Sequence, residues 1–312
     1  MSNKKYSGTF FSVVLIFILF ITGCKDAKKS QFTDTPLKGT IHISVDESFR
    51  PVIDAQIKVY EGSYPGTKIV ADYKPETECF KDFYQDTANR MIIVTRGLTK
   101  TESRFYTDSL GYTPVSDRIA ADAIAVVVNK NSTDTLFTIE GLKQLLLGKG
   151  DKKQKVVFDG LTATSTFRYV TDSILRGAAF DTGVGKAVKN SKDVLDFIAA
   201  DENAIGLVGI SWIGNPEEPE QVQMLKKIKI AYVQCSKCND SPYVKPSQEG
   251  IVTRRYPLVR SLYYIVKENF SGLGSGFAEF LKYERGQLIF RRAYLAPVMD
   301  FEIRSVKINE KL

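Results

Sequence analysis

The chain has 312 residues, and its 43 basic and 36 acidic residues give a formal net charge of +7. The basic residues are scattered among acidic ones, which is typical of a solvated surface and argues against a nucleic-acid-binding stripe. His42 is the only histidine and lies in an alternating Thr-Ile-His-Ile-Ser segment. This pattern predicts a strand and argues against histidine-dependent catalysis and a histidine-ligated metal.

Residues 1–23 have the features of an export signal. Two lysines precede an apolar run at residues 10–21, which only Ser12 interrupts. The run is too short to span a bilayer core, which needs about 20 helical residues, and a basic flank before a short apolar core is typical of a secretory signal. The ending Ile-Thr-Gly-Cys resembles the lipobox of bacterial lipoproteins, which implies that Cys24 becomes the acylated N-terminus and carries palmitate. A plain secretory signal with an incidental cysteine is the alternative.

This signal predicts an exported protein that faces the periplasm and is held at an envelope membrane by lipid. The residues after Cys24 leave the inner membrane, the outer membrane and cell-surface display as alternatives. Residues 24–38 are polar and lack periodicity, which predicts a flexible tether. Removal of the signal leaves a net charge of about +5, which weakly suits an anionic ligand. About 270 residues follow the tether, enough for two lobes with separate cores.

The first predicted elements alternate between strands and helices, which indicates an α/β lobe with a mostly parallel sheet. Pro51 fits the first turn of the first helix, where its missing N–H costs nothing. Thr99 and Glu102 have the spacing of a capping box. In chain order, the predictions are a strand at 39–45, a helix at 49–60, a strand at 67–71, a helix at 79–84, a strand at 91–94 and a helix that opens at Thr99.

The same alternation restarts after Pro114. Pro114 and Pro257 each precede a strong strand pattern, so the chain is predicted to cross between two lobes at these positions. Thr138 is predicted to cap a helix that Gly148 ends. The further predictions are strands at 119–128, 155–158, 204–208 and 263–266, and helices at 138–147, 166–175, 191–200 and 277–291.

Besides Cys24 the chain has three cysteines, and two of them, Cys235 and Cys238, are separated by two residues. This spacing occurs in zinc sites and redox pairs, but no second pair completes a zinc site. The Asn-Asp-Ser-Pro segment that follows is typical of a loop, whereas a redox pair opens a helix. In an oxidising compartment the spacing predicts a local disulfide between Cys235 and Cys238. The state of Cys79 is left open.

Four segments resemble the phosphate-binding branch of the type II periplasmic substrate-binding proteins of ABC uptake systems. They are similar, in order, to the family's hinge with its following strand, its leucine-rich helix ending in Gly-Lys, its second-lobe strand, and its closing strand and helix. The segments are 113–129, 138–149, 204–209 and 256–298. The resemblance implies an α/β fold of two lobes, each a mostly parallel sheet flanked by helices, joined by two crossing strands. The predicted boundaries place lobe 1 at 39–116 plus 252–312 and lobe 2 at 117–251.

The resemblance places the ligand between the lobes, at the carboxyl ends of strands and the N-termini of helices. A helix N-terminus offers unpaired N–H groups and about half a positive charge, which suits a tetrahedral anion. Residues 164–166 occupy the place of the family's Ser-Gly-Thr phosphate loop, and a following arginine could add a charge-assisted contact. The predicted ligand-binding residues are Ser48, Thr95, Arg96, Thr164, Ser165, Thr166 and Arg168. The alternative is that 164–166 only cap a helix while both arginines serve the surface.

Three features depart from the family's pattern. The position aligned with Thr95 carries no acidic residue to accept the proton of hydrogen phosphate, and the glycine of Ser-Gly-Thr is absent. The first-lobe loop contains Glu76 and Glu78, which would repel an anion unless basic neighbours neutralised them. The candidates for that role are Lys74, Arg90 and Arg96. These departures leave three alternatives: phosphate held differently, another oxyanion, or a ligand unlike an anion.

The sequence thus predicts a non-enzymatic, lipid-anchored substrate-binding component of an ABC uptake system that takes phosphate or a similar oxyanion by hinge closure. Its predicted partners are a small anionic ligand, an ABC permease and the membrane, without nucleic acid, cofactor or metal, and a monomer is expected. One alternative is a receptor, sensor or assembly lipoprotein that reuses the fold with an altered ligand site. Another is a secreted hydrolase, which the single histidine and the lack of paired acids at strand ends disfavour.

Overall fold

The computed structural model describes residues 33–150 and 154–299. The predicted signal peptide, Cys24 and most of the predicted tether lie outside these residues. The strands are β1 (Gly39–Asp46), β2 (Thr67–Lys74), β3 (Asn89–Val94), β4 (Val115–Asn129), β5 (Leu136–Phe137), β6 (Lys155–Phe158), β7 (Gly185–Ala187), β8 (Ala204–Gly209), β9 (Ile228–Ile230), β10 (Tyr232–Gln234), β11 (Tyr243–Val244), β12 (Val259–Val266) and β13 (Ala296–Pro297).

The helices follow the strands in the order that the sequence predicted, with several additions. They are α1 (Arg50–Ser63), α2 (Glu76–Gln85), α3 (Lys100–Leu110), α4 (Ile139–Leu146), α5 (Ser165–Tyr169), α6 (Ser191–Ala200), α7 (Pro219–Met224), α8 (Gln248–Val252), α9 (Leu273–Lys282) and α10 (Glu284–Arg292). Short 3-10 turns at Glu47–Phe49 and Ile210–Trp212 and a π-helical segment at Val170–Leu175 complete the set. Within the described residues, no helix is both long and apolar enough to cross a membrane.

One mixed sheet has the strand order β2-β1-β3-β12-β4-β8-β6-β7, with β9 and β13 also paired to β4. Strand β1 is parallel to β2 and β3, and β6 is parallel to β7 and β8. Strands β4 and β12 run antiparallel to each other and to their outer neighbours β8 and β3. The sheet therefore has two parallel halves joined by two antiparallel crossing strands. The predicted fold class is confirmed.

Strand β4 passes from one half of the sheet to the other without a break. It pairs with β12 as far as Ala123 and with β8 from Ile124 to Val128. The strand is buried from Ile119 onward, which agrees with a sequence that is apolar there except for Asp122 and Asn129. The predicted lobe boundaries fall inside β4 and near the end of α8, and they stay a prediction.

Two predicted helices differ from the structure. The helix predicted at 277–291 is two helices, because Tyr283 is extended between them and Gly286 approaches the carbonyl oxygen of Phe280 too closely for any side chain. The helix predicted at 166–175 is α-helical only through α5 and then becomes a π-helix. In the first turn of the π-helix, the hydroxyl of Thr171 donates to the carbonyl oxygen of Arg168 at 2.8 Å. This hydroxyl competes for that oxygen with the backbone N–H groups that would continue the α-helix.

The capping and surface predictions agree with the structure. Thr99 and Glu102 form both hydrogen bonds of a capping box, and the side chain of Thr138 accepts from the N–H of Gly141.

His42 is an exposed residue of β1. A disulfide joins Cys235 and Cys238, and Cys79 is a free, buried thiol in a small apolar cluster with Phe83 and its neighbours.

The last residues of the predicted tether contact the folded body. Asp34 forms a bidentate ion pair with Arg90, with N–O distances of 2.7 and 2.8 Å. Tyr60 donates its hydroxyl hydrogen to the carbonyl oxygen of Pro36. The chain is therefore fixed to the body from Asp34 onward, before β1 begins.

Candidate functional site

A buried set of polar side chains lies where the carboxyl ends of β1 and β6 meet the crossing strands. Each of its members is at most 7% exposed, so the set is cut off from solvent. Hydroxyl, carboxyl and guanidinium groups are all present. We call this set the central cluster, and its members are Asp46, Ser48, Asp122, Asp159, Ser165, Thr166 and Arg260.

The turn that follows β1 positions Ser48. The carboxylate of Asp46 accepts the N–H of Ser48 at 3.0 Å and so caps the 3-10 turn before α1. The hydroxyl of Ser48 is 3.5 Å from the hydroxyl of Ser165 and 3.5 Å from a carboxylate oxygen of Asp159. Ser211, which follows β8, donates to the carbonyl oxygen of Ser48 at 3.2 Å. Residues of both sheet halves thus hold Ser48 in place.

The loop after β6 brings Ser165 and Thr166 to the same point. Thr164 caps α5 by accepting the N–H of Phe167 at 3.3 Å, as expected for a threonine at this position. Thr166 donates its hydroxyl hydrogen toward Asp159 across 3.4 Å. The predicted loop of 164–166 therefore faces the residue predicted from the other half, Ser48, with no protein layer between them.

Arg260 on β12 supplies the positive charge of the central cluster. Its Nε donates to Asp122 at 2.9 Å, and its Nη1 donates to the hydroxyls of Ser165 and Thr166 at 2.8 and 3.3 Å. The guanidinium carbon lies 4.8 Å from the centre of the Phe49 ring, a distance at which a cation and an aromatic face attract. Burial acts to lower the pKa of Arg260, but the neighbouring carboxylates outweigh it and raise that pKa, so the guanidinium is charged.

Three carboxyl groups share this one guanidinium. Burial raises the pKa of Asp46 and of Asp159 to about 6 in each case, against the opposing effect of Arg260. Burial also raises the pKa of Asp122, although Arg260 stabilises its charged form. Within the described residues, one oxygen of each of these carboxyl groups has no hydrogen-bond partner. The closed cluster is therefore short of positive charge at neutral pH, and removing the charge of a carboxyl group other than Asp122, which is bonded to Nε of Arg260, should favour it.

We expect Asp159→Asn to raise the free energy of unfolding at pH 8 by up to about 3 kcal/mol, the equivalent of the pKa shift of this carboxyl group. An acid whose pKa is raised on folding stabilises the protein fully only below its unfolded pKa. That stabilisation is lost as the pH rises from about 4 to about 6. The asparagine variant should lack this part of the pH dependence.

Urea unfolding of both proteins at pH 4, 5, 6 and 8 measures the difference. Asp108→Asn, on the exposed face of α3, is the matched control and should leave the curve unchanged. A variant that loses stability equally at every pH would show that the charge of the Asp159 carboxylate does not destabilise the folded state.

A second polar contact joins the two halves nearer the surface. Arg168 donates to Glu76 at 2.7 Å and to the hydroxyl of Thr95 at 2.6 Å, and Thr95 donates to the same carboxylate at 2.6 Å. Burial would raise the pKa of Glu76, but Arg168 and Thr95 outweigh it and lower that pKa. Thr77 also donates its backbone N–H to the carbonyl oxygen of Ala163 at 3.1 Å. We call this set of contacts the Glu76–Arg168 bridge.

The bridge changes the interpretation of two predicted residues. Thr95 and Arg168 do meet across the halves, but both are bonded to Glu76. Glu76 is neutralised by Arg168, which is not among the candidates Lys74, Arg90 and Arg96. Lys74 instead pairs with Asp82, and Arg90 with Asp34 and Glu268.

Arg96 lies apart from the central cluster. Its guanidinium forms two hydrogen bonds with Glu102, at 2.8 and 2.9 Å, and stacks 3.7 Å from the centre of the Phe80 ring. This is the surface ion pair that the sequence analysis held as the alternative for this residue.

A third contact between the halves involves Glu47, which the sequence analysis did not select. Its carboxylate accepts the N–H and the hydroxyl of Ser191 at 3.1 and 2.8 Å, at the start of α6. The central cluster, the bridge and this contact together close the space between the halves with the protein's own polar groups. Among the described residues, no group of acidic, histidine and cysteine side chains is arranged to hold a metal ion.

Sequence reasoning missed four members of the central cluster: Asp46, Asp122, Asp159 and Arg260. A signal for two of them was present, because Asp122 and Arg260 interrupt strands that are otherwise apolar at buried positions. Charged residues are rarely buried unless they are paired. Two such interruptions in the two crossing strands could have been matched to each other.

Two parallel half-sheets, two crossing strands and a polar cluster between the halves define the class of two-lobed solute-binding proteins. The chain belongs to the family described as the PBP superfamily domain, whose model matches residues 30–284. The predicted resemblance is confirmed at this level.

The chain is similar to several phosphate-binding proteins. It is 23% identical over 244 residues to the phosphate-binding protein PstS of Pseudomonas aeruginosa, covering 72% of this chain and 71% of that protein. A Clostridium perfringens structure, described as a phosphate ABC transporter substrate-binding protein with bound phosphate, has a TM-score of 0.66 at 20% identity, covering 84% of this chain and 100% of the other. An ABC-type phosphate transport receptor from Vibrio cholerae has a TM-score of 0.59 at 18% identity, covering 83% and 100%.

At these identities the solved structures establish the fold of the chain. All three relatives are named as binding proteins or receptors. The family is one of solute-binding proteins, and the expectation that the chain is not an enzyme is confirmed on that ground.

Proposed function

We propose that this protein is the lipid-anchored solute-binding component of an ABC uptake system and that it binds phosphate or a similar oxyanion between its two lobes. The observation that carries the proposal is the meeting of the Ser48, Ser165 and Thr166 hydroxyls around the guanidinium of Arg260. Hydroxyl and guanidinium groups in a water-poor space suit the oxygens of an anion. The names of the similar proteins support the choice of phosphate as the leading ligand.

Binding would be coupled to rotation of the halves about β4 and β12. The hydroxyl oxygens of Ser48 and Ser165 are 3.5 Å apart, so a tetrahedral anion that contacts both needs the halves to separate further. The Glu76–Arg168 bridge lies across the same opening and must break when it widens. Bound ligand would then replace direct contacts between the halves. The ligand would shift the population toward the arrangement of the halves that it binds more tightly.

The anchor and the permease complete the proposal. The lipobox-like ending at Cys24 supports acylation, which would hold the protein at an envelope membrane facing the periplasm. A membrane permease would accept the liganded arrangement. Mass spectrometry of the membrane-extracted protein should find diacylglyceryl or acyl groups on Cys24.

We expect the double variant Ser165→Ala, Thr166→Ala to bind inorganic phosphate at least 100-fold more weakly than the wild type, since hydrogen bonds to charged groups contribute about 1.5–3 kcal/mol each. Isothermal titration calorimetry at pH 7.5 measures the affinities. The matched control is Thr101→Ala, Ser109→Ala, two exposed hydroxyls of α3, which should bind as the wild type does. Equal affinity in the Ser165, Thr166 double variant would place the ligand elsewhere.

The structure also offers support for the second candidate, a receptor or sensor that keeps the fold with an altered site. Asp159 places a carboxylate beside the hydroxyls, and the Glu76–Arg168 bridge occupies two predicted ligand contacts. The same calorimetry separates the candidates. Absence of heat with millimolar phosphate, arsenate and sulfate would favour the receptor.

A further inference from the structure

We propose that Arg260, on the crossing strand β12, is the residue that supplies the cationic contact to the bound oxyanion, and that Asp122 on β4 is its positioning residue. This inference rests on the proposed function and names the group that recognises the ligand's charge. The arginines selected from the sequence are both engaged elsewhere, Arg168 with Glu76 and Arg96 with Glu102. Arg260 is instead bonded to the hydroxyls of the central cluster.

The hydrogen bonds of Arg260 leave one nitrogen of its guanidinium, Nη2, for a ligand. Its Nε is bonded to Asp122 and its Nη1 to Ser165 and Thr166. Its Nη2 is buried and, within the described residues, has no hydrogen-bond partner. A buried charged donor without a partner is costly, and an oxygen of an anion would satisfy it. Nη1 and Nη2 lie side by side in one plane, so the guanidinium fork holds the Ser165 and Thr166 hydroxyls with Nη1 and offers Nη2 to an oxygen of the anion.

Gly209 at the end of β8 makes room for this arrangement. A Cβ at that position would lie 3.2 Å from Nη2 of Arg260, 3.2 Å from a carboxylate oxygen of Asp122 and 3.3 Å from the carbonyl oxygen of Ser48. The glycine thus lets three strands bring their polar groups together at the base of the space between the halves.

The placement of Arg260 on a crossing strand distinguishes it from the hydroxyls. Arg260 and Asp122 are direct partners in the pairing of β12 with β4, and these two strands connect the halves. Ser48 and Ser165 belong to opposite halves and move apart when the halves rotate. The Arg260–Asp122 pair stays at the axis of that rotation, so the ligand meets the guanidinium first and the hydroxyls as the halves close.

Asp122 fixes the guanidinium plane through a bond that a neutral side chain cannot match. Its carboxylate is fully buried and contacts Nε, the donor next to Nη2 on one edge of the guanidinium. The bond therefore fixes the guanidinium plane, with Nη1 toward Ser165 and Nη2 beside Gly209. Loss of this bond should loosen the fork without removing its charge.

Titration of inorganic phosphate into the full mature chain tests the inference. We expect Arg260→Lys and Arg260→Gln to lower the affinity by at least 30-fold and 100-fold respectively, because lysine keeps the charge but not the fork. Arg118→Gln changes an exposed arginine of the neighbouring crossing strand and should bind as the wild type does. Thermal unfolding of each variant confirms that it is folded at the temperature of the titration.

A second measurement follows the NMR signal of the Arg260 side chain and uses Arg260→Lys to assign it. In the ¹⁵N spectrum of arginine side chains, the Nε–H signal absent from Arg260→Lys identifies Arg260 in the wild type. Phosphate should shift this signal and leave that of Arg118 unmoved. Asp122→Asn should weaken binding by about 10-fold and reduce the shift that phosphate causes in the Arg260 signal, which a purely structural role would not do.

The outcomes separate this inference from the proposed function. A wild type that binds phosphate while Arg260→Gln stays within threefold of it, or while the Arg260 signal does not move, overturns the role of Arg260 and leaves the proposed function standing. A wild type that binds no oxyanion overturns both.

Discussion

Asp122→Ala is expected to lower the free energy of unfolding by about 3–5 kcal/mol, the range for breaking a buried ion pair from one side. Arg260 and Asp122 are both buried, and the carboxylate is bonded to Nε at 2.9 Å. Without it, the guanidinium would keep its charge among Asp46, Asp159 and the hydroxyls but lose the bond that fixes it. Urea unfolding at pH 7.5, followed by circular dichroism, measures the change.

Two controls distinguish the lost pairing from lost volume. Asp122→Asn keeps the volume of the side chain and removes its charge, and it should also be less stable than the wild type if the ion pair is what stabilises the site. Asp117→Ala removes the carboxylate of the exposed pair with Lys282 on the same strand and should cost less than about 1 kcal/mol. An Asp122→Ala variant as stable as the wild type would contradict the pairing, and an Asp122→Asn variant as stable as the wild type would show that lost volume is the cause of the change.

Arg90→Ala is expected to cost a similar amount, about 3–5 kcal/mol, for the same reason. The guanidinium of Arg90 lies between the carboxylates of Asp34 and Glu268, and all three side chains are at most 9% exposed. Both carboxylates also accept backbone N–H groups at the start of α9: Asp34 from Leu273 at 2.7 Å, and Glu268 from Ser275 at 2.7 Å. The variant would leave two buried carboxylates without their shared cation.

The same change should release the segment that precedes β1. Limited proteolysis at 25 °C should cleave the Arg90→Ala variant near Asp34 well before the wild type is cleaved there, with mass spectrometry locating the cut. Arg285→Ala, an arginine of α10 on the surface, is the control and should alter neither stability nor cleavage. Unchanged protection of the segment in Arg90→Ala would show that other contacts, such as that between Tyr60 and Pro36, suffice to hold it.

Most of the fold was predictable because it depends on local patterns. Apolar runs identified β3, β4 and β8, helical spacing identified α1, and capping residues located the starts of α3 and α4. The break between α9 and α10 was missed because it depends on the close approach of Gly286 to Phe280. Such an approach is a property of the packed structure and leaves only an unremarkable glycine in the sequence.

The candidate site was predictable only in part. The pairing of Ser48 with the 164–166 loop followed from strand ends and family resemblance, and the structure brings these residues into contact. Arg260 and Asp122 are 138 residues apart in sequence, and only the pairing of β12 with β4 makes them neighbours. Arg168 was selected for its place in the helix, but its partner Glu76 is the first residue of α2 and is 92 residues away in sequence.

The unbroken course of β4 has a consequence for how the protein folds. One strand contributes hydrogen bonds to β12 along its first part and to β8 along its second part, so neither half has a complete sheet when the other is melted. Loss of either half would expose a bare strand edge, which is costly and prone to aggregation. The two halves should therefore order and melt together as one cooperative unit, even though the proposed binding requires them to rotate against each other.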